Sequence, residues 1–114
     1  MKQTGVIISL LALSLMLFVL SAAGDVTAGK TVFTNRCKMC HGPDGTGNPA
    51  MGRMLKVEFR ALDSEYIQTK EDAELRQIIT KGKGKMAAVR GLNDQELSAV
   101  IAYVRSLPKE GLGQ

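Results

Sequence analysis

Both cysteines of this 114-residue chain and its single histidine lie within five residues, in the run Cys37-Lys38-Met39-Cys40-His41. Two cysteines three positions apart on a helical turn point the same way, so both thiols can bond to one flat molecule. The C-x-x-C-H spacing is typical of covalent haem attachment, in which two sulfurs add to the vinyl groups and the imidazole binds the iron. We therefore predict that Cys37, Cys40 and His41 hold one haem c.

Three other uses of the cysteine pair agree less well with the sequence. A disulfide between cysteines three apart closes a loop so small that it restrains the unfolded chain little. A thioredoxin-like redox pair occurs in a βαβ context, and we predict no strand before Cys37. Structural zinc normally takes four cysteine or histidine ligands, whereas two cysteines and one histidine are all that this chain offers.

The amino-acid composition also favours a cofactor in the interior. Much of the 45% hydrophobic content lies in residues 1–23, and tryptophan is absent. The rest of the chain has four aromatic residues, Phe33, Phe59, Tyr66 and Tyr103. Because aromatic side chains bury the most area each, the chain is lean in material for a core of its own.

Residues 1–23 are typical of a secretory signal peptide: Lys2, an apolar run over 6–20, and small residues at 21–23. We predict its removal, which leaves 24–114 as a single monohaem domain in the periplasm. A retained membrane anchor is the alternative, although about 15 apolar residues fall short of the ~20 that span a bilayer.

The charge balance of the chain argues for protein partners. The formal net charge is +4, without the basic and aromatic stretches typical of nucleic-acid binding. We predict a redox partner protein with an acidic surface, no nucleic acid, at most peripheral membrane contact, and a monomer.

Hydrophobic spacing and capping residues predict three helices and no sheet. Asp25 can cap the first helix, which continues toward Cys37. Its predicted inward positions are Val26, Gly29, Val32 and Phe33. Asn93 and Glu96 form a capping-box pattern for the last helix, which Pro108 ends. Its predicted buried stripe is Leu97, Val100, Ile101, Val104 and Leu107.

The middle of the chain is predicted less sharply. Residues 42–52 are rich in glycine and proline and predict a loop. Residues 53–68 predict a short helix or an irregular strap. Thr69 is the predicted cap of a helix that ends near Gly82, and a second glycine-bearing loop covers residues 81–91.

Over residues 25–108 the chain resembles the small soluble class I cytochromes c. The resemblance is carried by Gly29 and Phe33 in the opening helix, Cys37-x-x-Cys40-His41-Gly42, a Gly-x-x-x-Met run, and Tyr103 in the closing helix. It implies an all-α cytochrome c fold of three to four helices around one covalent haem. It also implies that the N- and C-terminal helices cross, with Gly29 and Phe33 against Val100 and Tyr103.

Met86 is the predicted second axial ligand of the iron. Met39 lies between the two cysteines, on the wrong side to bind the iron. Met51 and Met54 follow His41 closely enough in sequence that the extended chain could carry either across the ring, so the distance along the chain excludes neither. Met86 is preferred because helices flank its loop, and the resemblance places the family's ligand there. Ala87 departs from the family, which usually has proline at that position and so a stiffer loop.

A haem iron with both axial positions filled has no site for substrate, so the chain is predicted to be a one-electron carrier and not an enzyme. A vacant or labile sixth site would instead make it a ligand sensor or a weak peroxidase. A third possibility is a fixed electron-transfer subunit of a larger exported enzyme. A basic patch beside Met86 is predicted to steer docking, and it comprises Lys81, Lys83, Lys85 and Arg90.

Overall fold

The computed structural model describes residues 24–108. The predicted signal peptide, 1–23, lies outside these residues, as do 109–114. Within the described range the chain forms six helices, and its only β pairing is an isolated bridge between Lys83 and Met86. The prediction of an all-α fold is confirmed. None of these six helices has the length and apolar character needed to cross a membrane.

The three predicted helices are the longest of the six. In chain order the helices are α1 (Val26–Arg36), α2 (Lys38–His41), α3 (Pro49–Leu55), α4 (Glu65–Gln68), α5 (Asp72–Lys81) and α6 (Asp94–Ser106). Helix α2 continues α1 after a break at Cys37, and α4 is a single turn. Helix α3 is the fourth substantial helix, so the expected number of three to four describes the fold well.

Helices α1 and α6 cross at Gly29, as the resemblance implies. A Cβ atom on Gly29 would lie 1.9 Å from the carbonyl oxygen of Ala99 and 2.9 Å from the Cβ of Tyr103. Only glycine therefore allows the two backbones to approach this closely. The rings of Phe33 and Tyr103 pack beside the crossing, with their centroids 5.2 Å apart.

The buried side chains follow the predicted stripe on α6 and only part of the stripe on α1. All five predicted residues, from Leu97 to Leu107, are buried. Phe33 is only 1% exposed, but Val26 is 42% exposed and Val32 is half-buried, so the α1 stripe was wrong at its start. Val26 lies in the first turn of α1, on the side of the helix that faces solvent.

Both predicted caps are present. The Asp25 carboxylate accepts hydrogen bonds from the backbone N–H groups of Thr27 and Ala28, at 2.9 and 3.2 Å. Asn93 and Glu96 form a reciprocal capping box, each side chain accepting from the other's backbone N–H at 2.9 Å. These bonds satisfy donors that the first turn of each helix leaves free.

The predicted loop over 42–52 is wrong in its second half, because α3 begins at Pro49. The side chain of Asn48 accepts from the N–H groups of Ala50 and Met51, at 3.0 and 3.4 Å. Proline suits the first helical position, where its missing N–H costs no hydrogen bond. The density of glycines hid this short helix from the sequence pattern.

Thr69 is not the cap of α5. It ends α4 instead, and its hydroxyl donates to the carbonyl oxygen of Glu65 at 2.8 Å. Helix α5 begins at Asp72. Its N-cap residue is Glu71, whose side chain forms no capping hydrogen bond. Gly82 ends α5 as predicted, at a positive φ of 77°.

Candidate haem-binding site

The break between α1 and α2 produces the turn that the cysteine motif requires. The carbonyl oxygen of Cys37 accepts from the N–H groups of Cys40 and His41, at 3.2 and 3.0 Å. One helical turn therefore carries all three residues. Both thiols are unpaired and half-buried. The structure thus brings together three of the four predicted site residues.

Asn48 and Gly47 fix this turn from the outside. The N–H groups of Gly47 and Asn48 donate to the carbonyl oxygens of His41 and Cys40, at 2.7 and 2.9 Å. The side-chain amide of Asn48 donates to the carbonyl oxygen of Met39 at 2.8 Å. Asn48 therefore caps α3 and fixes the cysteine turn at once. Our sequence reasoning missed it, although an asparagine before a proline is a recognisable helix start.

The surroundings of His41 favour the form of the side chain that can bind a metal. The side chain is half-buried, and this burial lowers its pKa, which favours the neutral imidazole. Its ring packs edge-on against Phe59, with the centroids 5.8 Å apart. The buried Nδ1 atom has no hydrogen-bond partner within the described residues.

The Cys37 thiol is not tuned for thiol redox chemistry. Burial raises its pKa to about 11, and the neighbouring Arg36 charge only partly opposes this rise. Reactive cysteines of redox pairs show the opposite, a lowered pKa that yields the thiolate. The electrostatics of the site therefore agree with a structural, covalent use of the cysteines.

Met86 lies on a separate segment, in the loop between α5 and α6. Its backbone N–H and carbonyl both pair with Lys83, at 2.9 and 3.0 Å, which closes a tight turn. Gly82 is required before this turn, since a Cβ there would lie 2.6 Å from the Met86 carbonyl oxygen. Hydrogen bonds thus fix the backbone at Met86, while Ala87 is exposed.

The other methionines differ in exposure. Met39 and Met54 are 73% and 66% exposed, whereas Met51 and Met86 are half-buried. Met39 and Met54 therefore present their thioethers to solvent, as a surface methionine does. By burial alone, Met51 is therefore the other methionine that could serve as the second axial ligand.

The interior of the fold suits one flat apolar group. Residues 34–74 contribute no buried hydrophobic side chain, and the buried ones belong to α1, α5 and the chain from α6 to Leu107. Several apolar side chains remain half-buried instead, among them Leu55, Val57, Phe59, Leu62, Ile67 and Val89. Covering these side chains with a further apolar group would stabilise the fold, so the residues present fit a haem.

The four residues of the predicted basic patch, Lys81, Lys83, Lys85 and Arg90, are all exposed. None of them forms an ion pair with another residue in the part of the chain that the structure describes. Their charges are therefore available to a partner.

Two small cytochromes resemble the chain over most of its length. The profile of the Cytochrome c family matches residues 26–108. Cytochrome c6 of Rippkaea orientalis (strain PCC 8801 / RF-1) is 37% identical over 84 residues, which cover 72% of this chain and 70% of that protein. Cytochrome c-554(547) of Halothiobacillus neapolitanus is 30% identical, and the match covers 75% of this chain and 99% of that protein.

A larger relative and a solved structure extend this picture. The Cbb3-type cytochrome c oxidase subunit FixP of Bradyrhizobium sp. (strain ORS 278) is 33% identical over 85 residues. That match covers 73% of this chain but only 28% of the subunit, so the chain spans less than a third of this relative. The solved KustC0563 c-type cytochrome superposes with a TM-score of 0.60 at 25% identity, covering 71% of this chain and 98% of that one.

Proposed function

Since the chain belongs to the cytochrome c family, we propose that it is a one-electron carrier with covalently bound haem c and that four of its residues hold that haem. Cys37 and Cys40 would hold the haem covalently through their two sulfurs. His41 and Met86 would supply the imidazole and the thioether that bind its iron.

The fixed turn at residues 37–41 is the observation that carries this proposal. Its thiols are free, burial lowers the pKa of its imidazole, and the carbonyl oxygens of Met39, Cys40 and His41 are all bonded to Gly47 or Asn48. A backbone fixed in this way keeps Cys37, Cys40 and His41 together on one helical turn. The bound haem supplies a one-electron change at iron, and the chain supplies position and burial.

Met86 determines whether the protein carries electrons or binds small ligands. A methionine thioether favours ferrous iron and raises the reduction potential. It also fills the sixth position, which leaves no site for a substrate, so the protein is a carrier without catalytic activity of its own. The turn between Lys83 and Met86 fixes the backbone that presents the thioether.

The carrier works outside the cytoplasm and meets an acidic partner as a monomer. The signal-like residues 1–23 support export to the periplasm. The unpaired basic patch of Lys81, Lys83, Lys85 and Arg90 supports docking on an acidic surface. Association by such a patch is fast and weakens as ionic strength rises.

Replacing the two half-buried methionines separately tests the ligand assignment. We expect the oxidised wild-type protein to show the weak red sulfur-to-iron band, and the Met86→Ala protein to lack it. Reduced Met86→Ala protein should bind carbon monoxide rapidly, whereas the matched control Met51→Ala should behave as wild type. Loss of the band in Met51→Ala alone would transfer the role to Met51.

A second candidate function is a fixed electron-transfer subunit of a larger enzyme. The similarity to FixP, named as an oxidase subunit, favours it. Purification from the native source under mild conditions separates the two possibilities. A free carrier elutes as a single small protein, whereas a fixed subunit co-elutes with the other chains of an oxidase at constant ratio.

A further inference from the structure

Backbone hydrogen bonds within the loop and to α5 fix most of the loop that carries Met86. Lys83 pairs with Met86, and the N–H of Val89 donates to the carbonyl oxygen of Ile79 at 2.8 Å. Both contacts tie the loop to itself or to α5. Neither connects it to the segment that carries the cysteines and His41.

The end of the loop is connected differently. Arg90 and Gly91 are exposed, and Gly91 has a positive φ of 81° with open space around it. The carbonyl oxygen of Arg90 accepts a hydrogen bond of 2.6 Å from the guanidinium of Arg36. Within residues 24–108, this is the only hydrogen bond between the segment 26–42 and the loop 82–91.

Arg36 lies directly beside the cysteine motif in the chain. It is the last residue of α1 and immediately precedes Cys37. The bond joins residues 54 positions apart, has a charged donor and is exposed to solvent. A backbone restrained at Arg90 leaves Met86 fewer conformations away from the iron, so less entropy opposes its return.

We propose that Arg36 is a positioning residue for Met86. By binding the Arg90 carbonyl, it keeps the loop that carries Met86 against helix α1, which leads to His41. It supplies part of the restraint that the family's usual proline gives and that Ala87 lacks. The proposal rests on the assignment of Met86 as axial ligand.

Imidazole binding to the oxidised holoprotein tests this role, because imidazole competes with Met86 for the iron. We expect Arg36→Met to bind imidazole about three to ten times more tightly than wild type, as suits the loss of one hydrogen bond. The matched control Lys30→Met removes an exposed positive charge from the same helix and should bind imidazole as wild type does. Haem content is measured for each protein, since Arg36 adjoins Cys37.

Amide hydrogen exchange separates positioning from a general loss of stability. Arg36→Met should speed exchange within residues 82–91 and leave α6 unchanged, whereas a merely structural role would speed exchange throughout. Unchanged imidazole affinity in Arg36→Met, with a normal red band in the wild type, would overturn the role of Arg36 alone. A wild-type protein without that band would overturn Met86 as ligand, and the role of Arg36 with it.

Discussion

Helices α1 and α6 and the chain between them are stabilised by different means. The crossing buries Phe33 and Val100 almost completely, each 1% exposed, around the close approach at Gly29. Residues 34–74 bury no hydrophobic side chain, and their apolar groups stay half-exposed. The polypeptide therefore packs closely at the crossing, whereas the apolar side chains of the middle are left for further contacts, which we propose that the haem would supply.

Two side chains connect this middle segment to α6 by hydrogen bonds. Arg105 donates to the carbonyl oxygens of Ile67, Gln68 and Lys70 and pairs with the Asp72 carboxylate at 2.8 Å. The amide of Gln68 donates to the carbonyl oxygens of Leu62 and Val104, at 2.8 and 3.0 Å. Polar bonds thus fix the middle where its core is thin, and they locate it against the crossing.

Preventing haem attachment should have the largest effect on the fold. It should destabilise residues 34–74 more than the crossing of α1 and α6. In a Cys37→Ser, Cys40→Ser protein, we expect the part of the helical circular dichroism that comes from residues 34–74 to be lost, because these residues have no core of their own, and the part from α1 and α6 to remain. The amide protection that survives should belong to α1 and α6. Equal protection of the crossing and the middle in hydrogen exchange would refute the comparison.

Closing the gap at the crossing should come next. Gly29→Ala places a Cβ against the backbone of Ala99, so the helices must separate, and we expect a loss of about 3 kcal/mol in the free energy of unfolding. Gly84→Ala is the control, because a Cβ there meets nothing within 4 Å. Its positive φ should cost only about 1 kcal/mol in the same denaturant titration. Equal losses would show that the crossing is not close-packed.

Removing the Arg105 contacts should weaken the middle region by an intermediate amount. Arg105→Met keeps most of the apolar stem and loses every hydrogen bond, so we expect about 2 kcal/mol less stability in denaturant unfolding. Arg76→Met is the matched control, since Arg76 makes only two such bonds, to Asp94 and Ser98. A loss in Arg76→Met as large as that in Arg105→Met would contradict a special role for Arg105.

The ion pair of Lys70 and Glu74 should give the smallest effect, and one that depends on pH. The Lys70 ammonium, bonded to the carboxylate at 2.5 Å, lowers the pKa of Glu74 below its ordinary 4.5. The pair therefore stabilises the fold above that value, and its contribution disappears as the pH falls through the lower, folded pKa. Thermal melts of wild type and Glu74→Gln should differ slightly at neutral pH and converge in acid. A difference that grows in acid would reverse the assigned sign.

Local signals were enough to predict the ends of the fold and three of the candidate site residues. The caps Asp25 and Asn93 and the motif at residues 37–41 each depend on side chains a few positions apart. Arg105 and Asn48 were missed for different reasons. Arg105 bonds to carbonyls more than thirty positions away, for which no short pattern exists. Asn48 had a local signal, but the surrounding glycines outweighed it.

Met86 was predicted partly from local sequence and partly from the resemblance to a family. Reach along the chain left several methionines open, and the resemblance to a family favoured one. Its fixed backbone and half-burial add support that only the folded chain could supply. The long-range bond from Arg36 to Arg90 could not be predicted, because nothing in either neighbourhood indicates the other.

The mass of one peptide tests the central claim most directly. Cleavage after arginine releases residues 37–53, which contain both cysteines and His41. We predict that this peptide from the native protein carries the mass of one haem, that fragmentation locates it on Cys37 and Cys40, and that neither sulfur can be alkylated. A peptide of unmodified mass with two alkylated thiols would contradict the account.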